Sequence, residues 1–322
     1  MLPIGSATVR ALLDRELDVV VLDDRSTGSR DRLRPLSSSI RFVQGSVTDS
    51  EAVYDAATGY DLCLHLAAQT SVTESFRNPA ASASTNIFGL FNVLDAARKR
   101  GMRRIVSASS AAVYGDTPGC VSESSPLAPI SPYGAGKAAA ELHAMSLCKY
   151  WGMEFVALRY FNVYGDGWAG PTSPGGVIDR HVRSMLTGAP LTVFGDGTQC
   201  RDFVFIEDVA KINAALLESD LVGAANVDTG VATSINQVVE LLCELSGQAV
   251  EVRSEPARAS DIRFSCSDSS RLLSMTGAAL TTLREGLARI LSVVSDSRLG
   301  GEGSVCLGAD RGALHKPPRS AY

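Results

Sequence analysis

Long apolar runs are the first thing this chain lacks. None approaches the ~18–20 residues that a bilayer-spanning helix needs, and no basic stretch leading into an apolar one opens the sequence. These two absences argue against a membrane span or a secretory leader, and the cytoplasm is the expected compartment. Positive charge is also in short supply. Lys and Arg number 30 against 35 Asp and Glu, a net −5, so no overall field draws nucleic acid or anionic lipid, and a phosphate-bearing ligand needs local basic groups. The seven cysteines (Cys63, Cys120, Cys148, Cys200, Cys243, Cys266, Cys306) stand singly, without a C-x-x-C pair or a His at ligand spacing. No metal site is expected from them, and they read as reduced core or surface thiols.

What is present suits a soluble globular protein: 322 residues, 45% hydrophobic and 20% charged. That length allows one large α/β domain with a satellite lobe, or two modest domains sharing a cleft. Val9 to Leu17 reads as helix, and Asp18-Val-Val-Val-Leu-Asp23 as a short buried strand. The alternation continues with strand-like Ile40 to Gln44, helix-like Ser50 to Ala57, strand-like Asp61 to Leu66, a helix over Asn86 to Arg100 and a strand over Arg104 to Ala108. Apolar strands alternating with amphipathic helices predict an α/β fold with a doubly wound, Rossmann-like parallel sheet over residues 1–165.

After about residue 165 the texture changes. A Gly/Pro-rich stretch from Tyr164 to Gly176 precedes a helix near Val177 to Leu186 and a strand at Leu191 to Phe194, which marks a smaller C-terminal lobe over 166–296. Glu207 to Glu218 and Ala225 to Asp228 look able to rejoin the sheet, so the two lobes are expected to interleave. Residues 297–322, Gly-rich with Lys316-Pro-Pro near the end, read as an unpatterned tail.

In an open parallel sheet the ligand lies beyond the carboxyl ends of the strands. Asp23 and Asp24 follow the first visible strand, where a carboxylate can accept bonds from both hydroxyls of an adenosine ribose; a surface turn explains them equally well. Ser109 and Ser110 follow the strand ending at Ala108. Tyr133 comes 23 residues after Ser110, with Lys137 four further on. On a helix that spacing puts phenol and ammonium on one face, where the cation can lower the phenol pKa from about 10 and make it a general base, while Ser110 bonds the same substrate oxygen. Taken alone, a Tyr and Lys four apart are more often a surface pair.

Order and context change that. The sequence resembles the extended short-chain dehydrogenase/reductases, the NAD-dependent epimerase/dehydratase family, and among them the nucleotide-sugar 4-epimerases related to UDP-glucose 4-epimerase. The likeness runs from about Ile4 to Leu291. Its landmarks are Val21-Leu-Asp-Asp24, His65-Leu-Ala-Ala68, Asn86, Ser109-Ser-Ala-Ala-Val-Tyr-Gly115, Tyr133-x-x-x-Lys137, Arg159-Tyr-Phe-Asn162, Phe194-Gly-Asp-Gly-Thr198, Arg201-Asp-Phe203 and Arg258-x-x-Asp261. The resemblance implies NAD as cofactor, bound by Gly5, Asp23, Asp24, Leu66, Ala67, Ala68, Asn86, Tyr133, Lys137 and Tyr160, with Ser110, Tyr133 and Lys137 as the catalytic set. It further implies a UDP-sugar held by Ser110, Tyr133, Asn162, Arg201, Arg258, Asp261 and Ser265, and a homodimer joined through two helices. A planar guanidinium suits phosphate oxygens, although Arg201 and Arg258 also read as members of surface ion pairs.

The implied reaction is redox-neutral overall. Tyr133 removes the 4-hydroxyl proton, hydride leaves C4 for NAD+, and the 4-keto sugar turns before hydride returns to its other face. Ala111-Ala112 follows Ser110, where the related dehydratases carry an Asp-Glu pair and the decarboxylases an acidic residue. Alanine transfers no proton, which leaves epimerisation or reduction of a keto sugar. Ser265 falls where these epimerases gate space around the sugar, and its small side chain is compatible with a UDP-N-acetylhexosamine as well as a UDP-hexose.

Two departures stand out. The family's opening strand and T-G-x-x-G-x-x-G-like loop are matched only by Met1-Leu-Pro-Ile-Gly5-Ser6, with Leu2 where the middle glycine belongs, and Ser46 replaces an acidic residue near the adenine. Met1 is therefore expected to mark a truncation boundary or misplaced start, leaving apolar neighbours exposed at the middle of the sheet. The competing readings are an NAD(P)H-dependent 4-keto-sugar nucleotide reductase and a cofactor-deficient relative that binds the sugar nucleotide without turning it over.

Overall fold

Apolar strands and helices apolar on one face alternate along the first half of the chain, with β-segments 104–110 and 154–160 buried on both faces, and the three-dimensional arrangement follows from that alternation. A computed structural model describes residues 3–28, 30–165, 176–248, 250–257, 262–268, 272 and 279–299. In order come α1 (Pro3–Leu13), β1 (Val19–Asp23), β2 (Ile40–Gln44), α2 (Ser50–Ala56), β3 (Leu62–His65), α3 (Val72–Arg77), α4 (Pro79–Ala83), α5 (Gly89–Arg100), β4 (Arg104–Ser110), α6 (Pro132–Trp151), β5 (Glu154–Tyr160) and β6 (Asn162–Tyr164). Beyond them lie α7 (Val177–Thr187), β7 (Leu191–Phe194), β8 (Cys200–Phe205), α8 (Ile206–Leu217), β9 (Gly223–Val227), β10 (Ala232–Ser234), α9 (Ile235–Ser246), β11 (Val252–Glu255), β12 (Phe264–Ser265) and α10 (Leu283–Leu299).

The main sheet is parallel, in the order β3-β4-β5-β9. Successive residues of its strands bury opposite faces. Val106, Val156 and Leu158 pack with Val9 and Leu12 of α1 and Val209 and Ile212 of α8, whereas Ile105, Phe155 and Ala157 pack with Leu90 and Leu94 of α5 and Ala140 and Ala144 of α6. This is a doubly wound α/β fold. The parallel pair β1-β2 forms a sheet of its own, and among the described residues it shares no strand pairing with β3. A smaller lobe packs Ile178 and Val182 of α7, Val238 and Leu242 of α9, Leu191, Phe203 and Leu287 around β7, β8 and α10. Within it β11 pairs with β7, and β8 is flanked by β10, β12 and β6.

Local sequence sets the element that matters most. Ser131 caps α6 by accepting from Gly134 N at 3.1 Å, Pro132 sits in the first turn with its φ preset for helix, and Gly152 ends the helix at φ +71. A Cβ on Gly134 would lie 2.5 Å from the Ala112 carbonyl oxygen, so glycine there lets the first turn of α6 touch the loop that follows β4.

Boundaries differ from expectation in places. The first helix spans Pro3–Leu13 rather than Val9 to Leu17, because the chain reverses at Glu16, whose φ is +60, before entering β1. The helix expected to start at Asn86 is preceded by a wide turn, Ser84–Phe88. Residues 166–175 of the Gly/Pro-rich stretch and 300–322 of the expected tail lie outside the described residues, and α10 runs to Leu299. Among the described residues no helix is long and apolar enough to cross a membrane.

Candidate active site

The parallel register brings the strand ends to one level: Ser110, last in β4, lies opposite Tyr160, last in β5, which lies opposite Val227 of β9. Beyond these ends opens a cavity of about 1220 Å³ between the main sheet, the β1-β2 pair and the smaller lobe. Ser110, Tyr133, Lys137 and Tyr160 form one wall, Asp23 and Asp24 line it at the end of β1, and Leu66, Ala67 and Ala68 line it beyond β3. Gly5 also faces it from α1, and Asn162 and Arg201 reach it from β6 and β8. The fold thus brings together residues scattered over nearly 200 positions of sequence.

The cavity continues between the two sheets as an apolar slot. Val19, Val21 and Leu22 of β1 and Leu62, Cys63 and Leu64 of β3 line it from its two sides.

Tyr133 is buried and lines the cavity together with Ser110, whose Oγ accepts from Ala112 N at 3.2 Å. Burial holds the phenol above its ordinary range, and the Ser110 hydroxyl pulls it only part of the way back. The expectation that Lys137 lowers this phenol is not met. Lys137 shares the helix face, but its Nζ donates to the Ala108 carbonyl at 2.7 Å. Burial brings the Lys137 ammonium down to about 8, with the Glu141 charge opposing the drop. Neutral pH lies below that value, so the amine stays mostly charged there. His65, buried close by, is pushed down to about 3 by burial and by Lys137, and is therefore neutral.

A buried polar network supports the wall from behind. Arg159 donates to both oxygens of Glu141 (the Nη2–Oε2 contact is 2.7 Å) and to Tyr114 Oη at 2.8 Å. Ser109 donates to Glu141, and Tyr114 donates to Asn226 Oδ1 at 2.6 Å. The Tyr160 hydroxyl donates to Asn213 Oδ1 of α8 at 2.7 Å, and Asn213 donates to Thr8 of α1 at 3.0 Å. Burial raises the Tyr160 phenol, so it acts as a neutral donor that ties β5 to both covering helices.

Two predicted residues sit differently, and two more are not among the described ones. Asn86 does not line the cavity. Its side chain accepts from Gln69 N at 2.9 Å and donates to Gln69 O at 3.0 Å, so it clamps the loop carrying Leu66, Ala67 and Ala68. Ser265 is in register with Arg201 across β12 and β8 and is not among the residues that line the cavity. Arg258 and Asp261 lie outside the described residues.

The structure adds Arg180 and Arg183 of α7, which line the same cavity. Their three-residue spacing on a helix with a buried apolar face was a readable sign that both point one way. Together with Arg201 they give the smaller-lobe side of the cavity a basic character, opposite in sign to Asp23 and Asp24. Among the described residues no group of three or more His, Cys, Asp or Glu is placed to hold a metal.

Comparison with known proteins agrees with this layout. Over residues 3–228 the chain matches the NAD dependent epimerase/dehydratase family. It is 33% identical over 295 residues to the UDP-glucose 4-epimerase of Mycolicibacterium smegmatis, covering 89% of this chain and 93% of that one. Among solved structures, the UDP-N-acetylglucosamine 4-epimerase from Methanobrevibacter ruminantium, in complex with UDP-N-acetylmuramic acid, superposes with a TM-score of 0.86 at 30% identity, covering 91% of this chain and 95% of that one. The Thermus thermophilus UDP-glucose 4-epimerase, in complex with NAD, superposes with a TM-score of 0.83 at 32% identity, covering 91% and 96%.

Proposed function

Since the chain belongs to the NAD dependent epimerase/dehydratase family, we propose that it is an NAD-dependent 4-epimerase of a UDP-hexose or UDP-N-acetylhexosamine, working through a 4-keto intermediate. The observation that carries this reading is the convergence of Ser110, Tyr133 and Lys137 on one cavity wall, with Ala111 and Ala112, which carry no acid or base, next in the chain. The cavity fits the cofactor: Asp23 and Asp24 suit ribose hydroxyls, small Ala67 and Ala68 leave room for flat rings, and Tyr133 and Lys137 stand across the space.

When bound, oxidised NAD supplies a hydride acceptor and a positive charge. Tyr133 takes the proton of the sugar 4-hydroxyl, and Ser110, which lines the same cavity, donates to the same sugar oxygen. Lys137, charged at neutral pH, holds the Ala108 carbonyl of β4 from the helix face it shares with Tyr133. Arg180, Arg183, Arg201 and Asn162 hold the diphosphate, so the keto sugar can turn about that anchor and present its other face. Asn86 acts at one remove by fixing the 66–69 loop.

The assembly supported by this reading is a homodimer through α5 and α6. Leu142 is 60% exposed and Tyr150 86% exposed on α6, and Phe88, just before α5, is 60% exposed, apolar area that a second copy would remove from water. The cytoplasm is the compartment that the composition favours.

The test is turnover of UDP-glucose and UDP-N-acetylglucosamine by the purified chain, with the nucleotide released on denaturation identified. The expected result is a 4-epimer formed without net consumption of cofactor, and Tyr133→Phe slowing it by about 10²–10⁴-fold while bound NAD is retained. Stoichiometric oxidation of NADH or NADPH by a 4-keto sugar nucleotide would make the protein a reductase instead.

A further inference from the structure

Outside the cavity, the loop that runs from β4 toward α6 meets the strand of the smaller lobe that flanks Arg201. Val121 and Ser267 form a parallel bridge there: Val121 N donates to Cys266 O at 3.0 Å, and Asp268 N donates to Val121 O at 2.9 Å. Cys120 and Cys266 each precede a bridge partner, so they are neighbours in register with side chains on one face. Adjacent strands lie about 4.8 Å apart, inside the ~4.4–6.8 Å Cα window of a disulfide. Their sulfurs are 2.8 Å apart, and both cysteines are free thiols.

We propose that Cys120 and Cys266 are an oxidation site, closing to an intramolecular disulfide by exchange with a small-molecule disulfide. This inference stands on the bridge geometry and is independent of the epimerase reading. Accessibility sets the order of events. Cys120 is exposed and Cys266 is buried. The Cys120 thiolate attacks the small disulfide, a mixed disulfide forms on Cys120, and one small thiolate leaves. Cys266 then attacks Cys120 Sγ, and the second small thiolate leaves. Two protein thiols are oxidised by two electrons in total, one small disulfide is reduced to two thiols, and these carry away the two protein protons.

Cys266 is unsuited to the first step for a second reason. Burial, contact with Cys120 and the nearby Asp202 and Asp228 charges hold its thiol well above the ordinary range. The product fastens β12 to the loop after β4. Because Ser265 of β12 is in register with Arg201, the crosslink fixes the strand beside a cavity-lining arginine.

The experiment exposes the full native chain to oxidised glutathione, quenches free thiols by alkylation, and maps disulfides by mass spectrometry. The expected result is a Cys120–Cys266 linked peptide with the other cysteines alkylated, reversal by dithiothreitol, and a rise of several degrees in Tm for the oxidised form. Cys120→Ser, at an exposed position, is expected to leave Cys266 unmodified in the native protein, and Cys266→Ser to stop at glutathione on Cys120. The proposal is overturned if wild-type Cys120 keeps glutathione without closing, if it links to Cys200 instead, if neither thiol reacts, or if Cys266 is modified directly in Cys120→Ser.

Discussion

At the scale of single residues, Lys137 shows how a functional group can cost stability. Its folded-state pKa has fallen from the ordinary 10.5 to about 8, chiefly through burial. Between those values the unfolded chain binds the proton more readily than the folded one, so stability rises as pH climbs from about 8 toward 10.5, and the penalty is complete below 8. Replacing the ammonium by an apolar chain of similar length removes that penalty but leaves the Ala108 carbonyl without its donor, a loss of about 1 kcal/mol or more. Lys137→Met is therefore expected to be more stable at pH 7 by roughly 1–2 kcal/mol net, to lose that advantage by about pH 10, and to lose activity. Thermal unfolding across pH checks it; a variant destabilised equally at every pH would contradict the argument. The Tyr133 and Lys137 pair was legible because helix spacing is a local property. Where the ammonium points was not, because that depends on the Ala108 carbonyl, 29 residues earlier in the chain.

At the scale of elements, the β1-β2 pair and the main sheet face the same slot with edges that, among the described residues, pair with no further strand. In a parallel strand alternate amides point to opposite sides, so the β1 and β3 amides on the slot side find water rather than a neighbouring strand. Hydrogen exchange is expected to be fast at those amides of Val19–Asp23 and Leu62–His65, and slower by orders of magnitude in β4 and β5, which are paired on both edges. Equal protection of β1 and β5 would show that the two sheets close on each other in solution. Strand and helix types were legible from period and burial, as in Ile40–Gln44 and Leu191–Phe194, whose bounds match the reading of the sequence. The first helix was misplaced because its start, Pro3-Ile-Gly-Ser, was read as the tail of a loop, whereas its apolar face is set by packing on α8.

At the scale of the whole molecule, assembly is the property most open to a simple test. Leu142 is exposed on α6, so a charge there should be tolerated by a single chain and not by a packed helix pair. For the proposed homodimer, Leu142→Glu is expected to sediment as a monomer where the unmodified protein sediments as a dimer, with its Tm lowered; an unchanged sedimentation coefficient would place any interface elsewhere. The sequence by itself determined the alternation of strands and amphipathic helices and the acidic turn after β1, because each is written in local period or a strand end, while Ser110, Tyr133 and Lys137 were read as a set through a family resemblance. Only the tertiary structure decided that Arg180 and Arg183 join Arg201, that Asn86 serves the cavity through Gln69, and that Cys120 meets Cys266. Each of these depends on how the smaller lobe or a distant loop packs against the sheet, and contacts between segments far apart in the chain leave no periodic trace along it.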